Sequence, residues 1–446
     1  MDDLLRRNGL KVHFIGVGGV NMSALAAFLI EKGFTVSGSD KVFNVYCERL
    51  SNLGAAIYQW HDAVNVYGAD VVVINSAISG DNPELLYALK NKLPIIKRAE
   101  LLKMIGTLYK TRIGVSGSHG KTTVTALIAH ILAEDNASFT AFIGGDDKKF
   151  DNFVLDGNDI LLCEVCEFKK NINLFLPDIG VTLNVDNDHL DSYEDFSDLK
   201  KTFFDFLKRA DVAIVNADDK ILKKASERYV TFGVATCADY SAANIKIAAK
   251  TTFTVNENGK KLMTVKTVLQ GLHNVYNVLA AIAVARVMKI KSSVIAAAVE
   301  SFEGVARRNE FIGFFKGAKC YSDYAHHPKE ILSLIKSLNN QKIKGNLYFV
   351  FQPHTYSRTK LLFNFFVEVL SQIKNLIILK TYAAREKFEK EYCAASLSSA
   401  IKNSVYADRI EEVMAALDKK VGKGDVVYFV GAGDIDPLCR RYMKKR

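Results

Sequence analysis

Apolar residues in this chain recur as short, β-branched runs, each emptying into a glycine-rich or polar turn and then into a stretch with helical apolar spacing. Lys11–Ile15 runs into Gly16, Gly18 and Gly19 and a helix start. Thr35–Ser39 closes on Asp40, and residues 70–74 lead through Asn75-Ser76-Ala77-Ile78 to a helix at 83–90. The same alternation continues with Ile113-Gly114-Val115 and the apolar helix Val124–Leu132. Buried-type strands follow at Ile160–Glu167 and from Ile179, and an Ala-rich helix starts after Gly271. Beyond residue 303 come a strand near Lys319, a helix at 329–338, and strands Leu347–Phe351 and Val426–Val430. Strand and helix in strict alternation predict parallel sheets with helices on their faces, and ligands at the strand C-termini.

The turn at Ser116-Gly117-Ser118-His119-Gly120-Lys121-Thr122-Thr123 is the most informative. A strand feeding a Gly-rich loop, with Lys-Thr-Thr opening a helix, is how a polyphosphate is held by loop amides and a helix N-terminus. Lys121 would reach the terminal phosphates and a Thr hydroxyl would take Mg²⁺. The spacing is G-x-x-G-K-T-T rather than G-x-x-x-x-G-K-[ST], because Val115 stands where the longer loop needs glycine. At 446 residues the chain exceeds what one core serves. It is therefore read as α/β with three domains: a Rossmann-like domain at 1–107, a central P-loop ATPase-type α/β domain at 108–303, and a Rossmann-like domain at 304–446.

The turn at Gly16 is open to three readings: a nicotinamide dinucleotide, another nucleotide's diphosphate, or a tight packing turn, with Asp40 where a ribose-binding acid would stand. Asn21 replaces the third glycine of G-x-G-x-x-G. In the central domain, Glu164 and Glu167 end one strand, and the run Asn184 to Asp191 brings Asp residues and His189 to the end of another. A carboxylate and an imidazole there suit Mg²⁺ beside a transferring phosphoryl group, against a salt bridge for Glu164 and a turn or cap for His189. The third domain carries Asp323-Tyr324-Ala325-His326-His327-Pro328 and Gln352-Pro353-His354-Thr355-Tyr356-Ser357-Arg358-Thr359 after strands. The adjacent histidines lack the i,i+4 spacing of a helical metal pair.

Composition narrows the picture further. The net charge of +10 is spread along the chain without an arginine-rich or aromatic RNA-binding motif, so it points to anionic nucleotides rather than to nucleic acid. No apolar run is long enough to span a bilayer and the N-terminus lacks a signal-peptide pattern, so the expectation is a cytoplasmic protein without a membrane partner. Seven scattered cysteines agree with a reducing compartment, and Cys163-x-x-Cys166 has no second pair to make a zinc site.

Taken in order, these motifs resemble the ATP-dependent Mur ligases of peptidoglycan assembly. The likeness runs from the Gly16 turn and Ser37–Asp40 through 116–123, 184–191, His273 to Asn277 and Arg307-Arg308 to the clusters at 323–328 and 352–359. It implies an amide ligase joining L-alanine to the lactyl carboxylate of UDP-N-acetylmuramate through an acyl phosphate, in a monomer or homodimer. The first domain would bind the UDP-sugar through Gly16, Gly18, Gly19, Asn21, Ser23, Asp40 and Ser76. ATP would lie on Gly117, Ser118, His119, Gly120, Lys121, Thr122 and Thr123, with Asn277, Arg308 and Asp323 at the nucleotide. Thr122, Glu164 and His189 would hold Mg²⁺, or Mn²⁺. The third domain would close over the site, with Tyr324, His326, His354 and Arg358 where carboxylate and amino acid meet; Lys121, Glu164, His189 and His326 form the expected catalytic set. The chain departs from the pattern at Glu164-Val165-Cys166-Glu167, Asn21 and Thr355, which leaves open which of Glu164 and Glu167 binds metal. Three rivals remain: a recycling ligase that adds a tripeptide to the same UDP-sugar, a nicotinamide oxidoreductase built on the Gly16 turn, and a P-loop NTPase driven by nucleic acid.

Overall fold

The computed structural model describes residues 5, 9–186, 192–248, 250–339, 343–384 and 386–444, without the side chains of 225 and 226. The chain divides into two compact units, Met1–Glu303 and Gly304–Arg446. The described strands form three sheets, two of them in the first unit.

The first sheet is parallel throughout, in the spatial order Ala56–Gln59, Thr35–Asp40, Lys11–Ile15, Val71–Ile74, Ile95–Lys97. The order reverses at Lys11–Ile15, so the turns after it and after Val71–Ile74 open a crevice at the switch point. Helix Val20–Glu31 is apolar nearly all round and must be covered on two sides. One cover is its own sheet; the other is the second domain, where Phe28 meets Phe142 and Phe153 at ring distances of 5.8 and 6.4 Å. The Asn152 amide completes the junction by donating to the Val20 carbonyl (2.7 Å) and Ser23 Oγ (2.9 Å). The first two domains thus share a core and form one unit.

The second sheet has ten strands, with Thr111–Ser116 between Ile179–Thr182 and Ile160–Glu164. The alternation expected across this domain holds only in its middle. At one edge Tyr240–Ile247, Thr251–Glu257 and Lys260–Thr267 run as an antiparallel meander, and at the other Asp151–Leu155 lies antiparallel to Phe139–Asp147. Asn258-Gly259, both at positive φ, make the reversal between the last two meander strands, a turn signal that the parallel reading passed over. The strand expected over 160–167 ends at Glu164; a 3₁₀ segment, Phe168–Leu174, follows, with Lys169 and Lys170 in left-handed conformations (φ 51° and 57°). Among the described residues no helix is long and apolar enough to cross a membrane.

The second unit is a six-stranded sheet in the order Glu310–Phe315, Ala318–Asp323, Val426–Val430, Leu347–Phe351, Asn375–Leu379, Ser404–Ala407, parallel except for its first pair. Apolar clusters fill both faces, so the alternate residues of the central strands Val426–Val430 and Leu347–Phe351 are all buried, apart from their first positions.

Candidate active site

The phosphate loop spans the gap between strand Thr111–Ser116 and helix Lys121–Glu134. Its N-cap, Gly120, has φ 88° and no side chain to cap the helix, and a Cβ there would lie 2.5 Å from Asn277 Oδ1. Only glycine allows that approach, and the first-turn amides stay open to an anion. Asn184 fixes the loop from the next strand end: it accepts the His119 N–H (2.8 Å), donates to the His119 carbonyl (3.0 Å), and its own carbonyl accepts the Ser118 N–H (3.1 Å). The Asp186 N–H donates to Ser118 Oγ (2.8 Å). Asn277 is held on the far side by Asn274 (3.0 Å), which places it against the phosphate loop as well as on the Ala-rich helix.

The two carboxylates ending the neighbouring strand take separate parts. Thr122 Oγ1 donates to Glu164 Oε2 (2.8 Å), while Lys121 Nζ lies 3.2 Å from the almost fully buried Glu167 carboxylate and donates to the Gly117 carbonyl. Burial works against the Lys121 charge, but Glu167 and Glu164 outweigh it and raise its pKa above the ordinary lysine value. Gly144 makes room for Glu164, whose carboxylate occupies the volume a Cβ would fill. The sequence names Glu164 for the metal without excluding Glu167; in the structure Glu164 sits on the hydroxyl expected to take metal and Glu167 on the lysine. Two adjacent hard oxygen donors beside a polyphosphate loop fit Mg²⁺. No cluster of three metal-ligating His, Cys, Asp or Glu occurs among the described residues. His189 lies outside them.

In the first domain, the turn after Lys11–Ile15 is bound to its neighbour strand. The Gly16 and Val17 amides donate to the Ser39 carbonyl (2.8 and 3.0 Å) and the Gly18 amide to Asp40 Oδ2 (3.0 Å). These amides hold the turn's shape, and beside them the N-terminus of helix Val20–Glu31, which starts at Gly19 without a side-chain cap and carries Asn21, is left to an anion. Asp40 closes the turn rather than standing free. Ser23, expected at the UDP-sugar, is buried, donates to the Val20 carbonyl and accepts from Asn152, so its hydroxyl serves the junction between domains. Ser76 is exposed in the loop after Val71–Ile74, next to Asn75 and Ile78, which flank Gly16. Behind the turn lies a network the sequence did not suggest: burial opposes the Glu84 charge, but bonds from His13, His61, Ser39 and Asn65 bring its pKa down to about 2. Residues spaced from 13 to 84 carry no local motif, and only the sheet order brings them together.

In the second unit, Tyr324, His326, His354 and Arg358 do come together. The Tyr324 ring lies 5.4 Å from His326, and His326 6.2 Å from His354. Arg358 Nη1 donates to His354 Nδ1 (3.2 Å), and His326 Nδ1 bonds the Tyr324 carbonyl (3.0 Å). Arg307 and Arg308 both face the Tyr324 ring, at 4.7 and 5.0 Å. Burial, with Arg358, His326 and Arg307 nearby, lowers the His354 pKa to about 3. Asp323 accepts the Asn309 and Ala325 amides (2.8 Å each), and burial raises its pKa. His327 accepts the Lys329 N–H (3.3 Å), a helix-start role.

An uncapped helix behind a glycine loop, with lysine, threonine and paired carboxylates, defines a nucleoside-triphosphate-binding α/β protein. Residues 11–110 match the Mur ligase family catalytic domain, 115–285 the Mur ligase middle domain, and 307–433 the Mur ligase glutamate ligase domain. The chain is 38% identical to a UDP-N-acetylmuramate–L-alanine ligase of Clostridium acetobutylicum and 39% identical to one of Aquifex aeolicus, over 99% of each chain. A crystal structure of the UDP-N-acetylmuramate–alanine ligase of Thermotoga maritima is similar with a TM-score of 0.85 at 27% identity, covering 98% of this chain and 99% of that one. The chain belongs to the Mur ligase family and is an ATP-dependent ligase.

Proposed function

We propose that the protein joins L-alanine to the lactyl carboxylate of UDP-N-acetylmuramate at the cost of ATP, in the cytoplasm, as a step of peptidoglycan precursor synthesis. The observation that carries this reading is the likeness to L-alanine ligases over 99% of both chains, which the two rival classes leave unexplained.

A carboxylate is a poor electrophile for an amine, so it is first phosphorylated by the γ-phosphoryl of ATP; the amine then attacks the acyl phosphate and phosphate leaves. Catalysis of the first step is positioning and charge stabilisation. Lys121 is the residue for the transferring phosphoryl oxygens, and Gly117 to Thr123 for the rest of the polyphosphate. Thr122 and Glu164, with His189, are the residues for Mg²⁺ or Mn²⁺, which neutralises phosphate charge when bound. Asn277, Arg308 and Asp323 belong to the nucleotide. The Gly16 turn with Gly18, Gly19, Asn21, Asp40 and Ser76 belongs to the UDP-sugar, and Tyr324, His326, His354 and Arg358 to the amino acid and the carboxylate. The paired arrangement of Lys121 with Glu167 and Thr122 with Glu164 supports these roles.

The test is phosphate release with ATP, UDP-N-acetylmuramate and, in turn, L-alanine, L-serine, glycine and the tripeptide of the recycling ligase. L-alanine should give the highest kcat/KM. Turnover with the tripeptide alone would move the protein to the recycling branch, and turnover driven by nucleic acid would end the ligase reading.

A further inference from the structure

We propose that Lys169 is a further substrate-binding residue, a cation for the anionic oxygens of the UDP-sugar; this rests on the ligase reading above. Lys169 belongs to the second domain, two residues past Glu167, yet its Nζ donates to the Ser76 carbonyl of the first domain at 3.1 Å. Ser76 sits in the loop beside Gly16, so the ammonium stands at the switch-point crevice, between the sugar domain and the strand end that holds Lys121. The side chain is exposed and, among the described residues, has no carboxylate partner. Its Nζ also lies 5.6 Å from the Phe168 ring, and its neighbour differs in being paired with a carboxylate: Lys170 is tied to Asp198 at 2.8 Å.

Two features make this more than a surface lysine. An ammonium has three donors, and the Ser76 carbonyl uses one, leaving two for phosphate or carboxylate oxygens. The backbone that presents it is left-handed at both Lys169 and Lys170, a conformation non-glycine residues adopt rarely and mostly where the surrounding structure enforces it. Because the site spans both domains of the unit, Lys169 would also couple sugar binding to the strand end that organises the phosphate loop.

The left-handed backbone supplies a clean variant. Lys169→Gly removes the cation and relaxes φ, so the fold should melt no earlier than the wild type. Calorimetric titration of the full chain with UDP, UDP-N-acetylmuramate and a non-hydrolysable ATP analogue, at two ionic strengths, reads the outcome. The Kd for UDP-N-acetylmuramate should rise about tenfold or more, as for loss of a charged hydrogen bond. Its salt dependence should weaken, the ATP analogue should bind as before, and Lys169→Arg should recover most of the affinity. An equal loss for UDP assigns the contact to the diphosphate; a loss confined to UDP-N-acetylmuramate assigns it to the lactyl carboxylate. An unchanged Kd for both, or an equal loss for the ATP analogue, overturns the proposal. If the wild type binds neither UDP ligand, the ligase reading falls and takes this one with it.

Discussion

The phosphate loop and the strand-end cluster of the second unit solve opposite electrostatic problems. In the first, the ammonium of Lys121 faces a carboxylate and the left-handed positions Gly117 and Gly120 are glycines. In the second, Arg307 and Arg308 face the Tyr324 ring and Arg358 the His354 imidazole, while Asp323 and Glu330 accept backbone amides and Glu330 also lies 3.5 Å from His326 Nδ1. There Arg307, Asn309 and Thr355, none of them glycine, hold positive φ beside Gly431. One site is neutralised and relaxed before its anion arrives, so a phosphate must exchange with Glu167 for Lys121. The other holds three guanidiniums and a strained backbone beside carboxylates already engaged with amides.

The sharpest way to break the comparison is to remove the exchangeable charge. Lys121→Ala should lower kcat on the order of 10² to 10³, with the fold intact by circular dichroism, because phosphoryl-transfer sites depend on positioned cations. Near-normal turnover in the folded variant would take the loop out of catalysis. His326→Ala should act on the other site. Its ring is fixed by the Tyr324 carbonyl and faces His354. Loss of it should raise the KM for L-alanine about tenfold, while the affinity for the ATP analogue stays put. Equal losses of both would merge the two sites into one.

The sequence reached the first site more fully than the second. A loop motif is local: Gly117 to Thr123 are contiguous, and their chemistry follows from neighbours in the chain. The division of labour between Glu164 and Glu167 was not legible, because it depends on which side of the turn each carboxylate leaves, and the 3₁₀ segment after Glu164 interrupts the expected strand. Lys169 gave no signal at all, since its meaning comes from a carbonyl 93 positions away. Ser23 misled for a related reason: its place at the start of the first helix looks like a ligand position, but the apolar far side of that helix buries it under the second domain. The parallel cores were legible from β-branched runs, whereas the antiparallel edges were not, because a half-polar strand such as Lys260–Thr267 buries only alternate positions and lacks a continuous apolar run.

Acidity separates the two sites by a smaller margin. His354 holds a pKa of about 3 against the ordinary 6.5, so below pH 6.5 the unfolded chain takes a proton that the folded chain refuses. The stability attached to a neutral His354 is therefore complete above pH 6.5 and is lost as the pH falls towards 3, at no more than about 1.4 kcal/mol per pH unit. Denaturant unfolding at pH 7 and pH 4.5 should show the wild type losing more stability than His354→Gln between the two values. Parallel losses would mean that the imidazole titrates normally, and that neither its burial nor the guanidiniums beside it disfavour its charge.

The smallest effect expected concerns strain. Thr355 has φ 67° and ψ 147°, a region that β-branched residues avoid, and it caps helix Tyr356–Leu361 through a long bond to the Arg358 N–H (3.4 Å). Its backbone is held there from both sides: its N–H donates to the Tyr382 carbonyl at 2.9 Å, and its carbonyl accepts the Thr359 hydroxyl at 2.8 Å. Thr355→Gly removes a strain of about 1–3 kcal/mol and, at a cap position, gives up only a few tenths. The second unit of the variant should therefore melt a few degrees higher, roughly 2–4 °C for about 1 kcal/mol in a unit of about 150 residues. The same residue sets the angle between His354 and Arg358, so freeing it should raise the KM for L-alanine by about threefold, with kcat and ATP affinity little changed, a loss of about 0.6 kcal/mol in binding. A higher melting temperature with unaltered kinetics would show the strain to be incidental to the cluster. A lower melting temperature would show that the capping hydroxyl outweighs the backbone, and the contrast between a relaxed glycine loop and a strained cationic cluster would lose its second half.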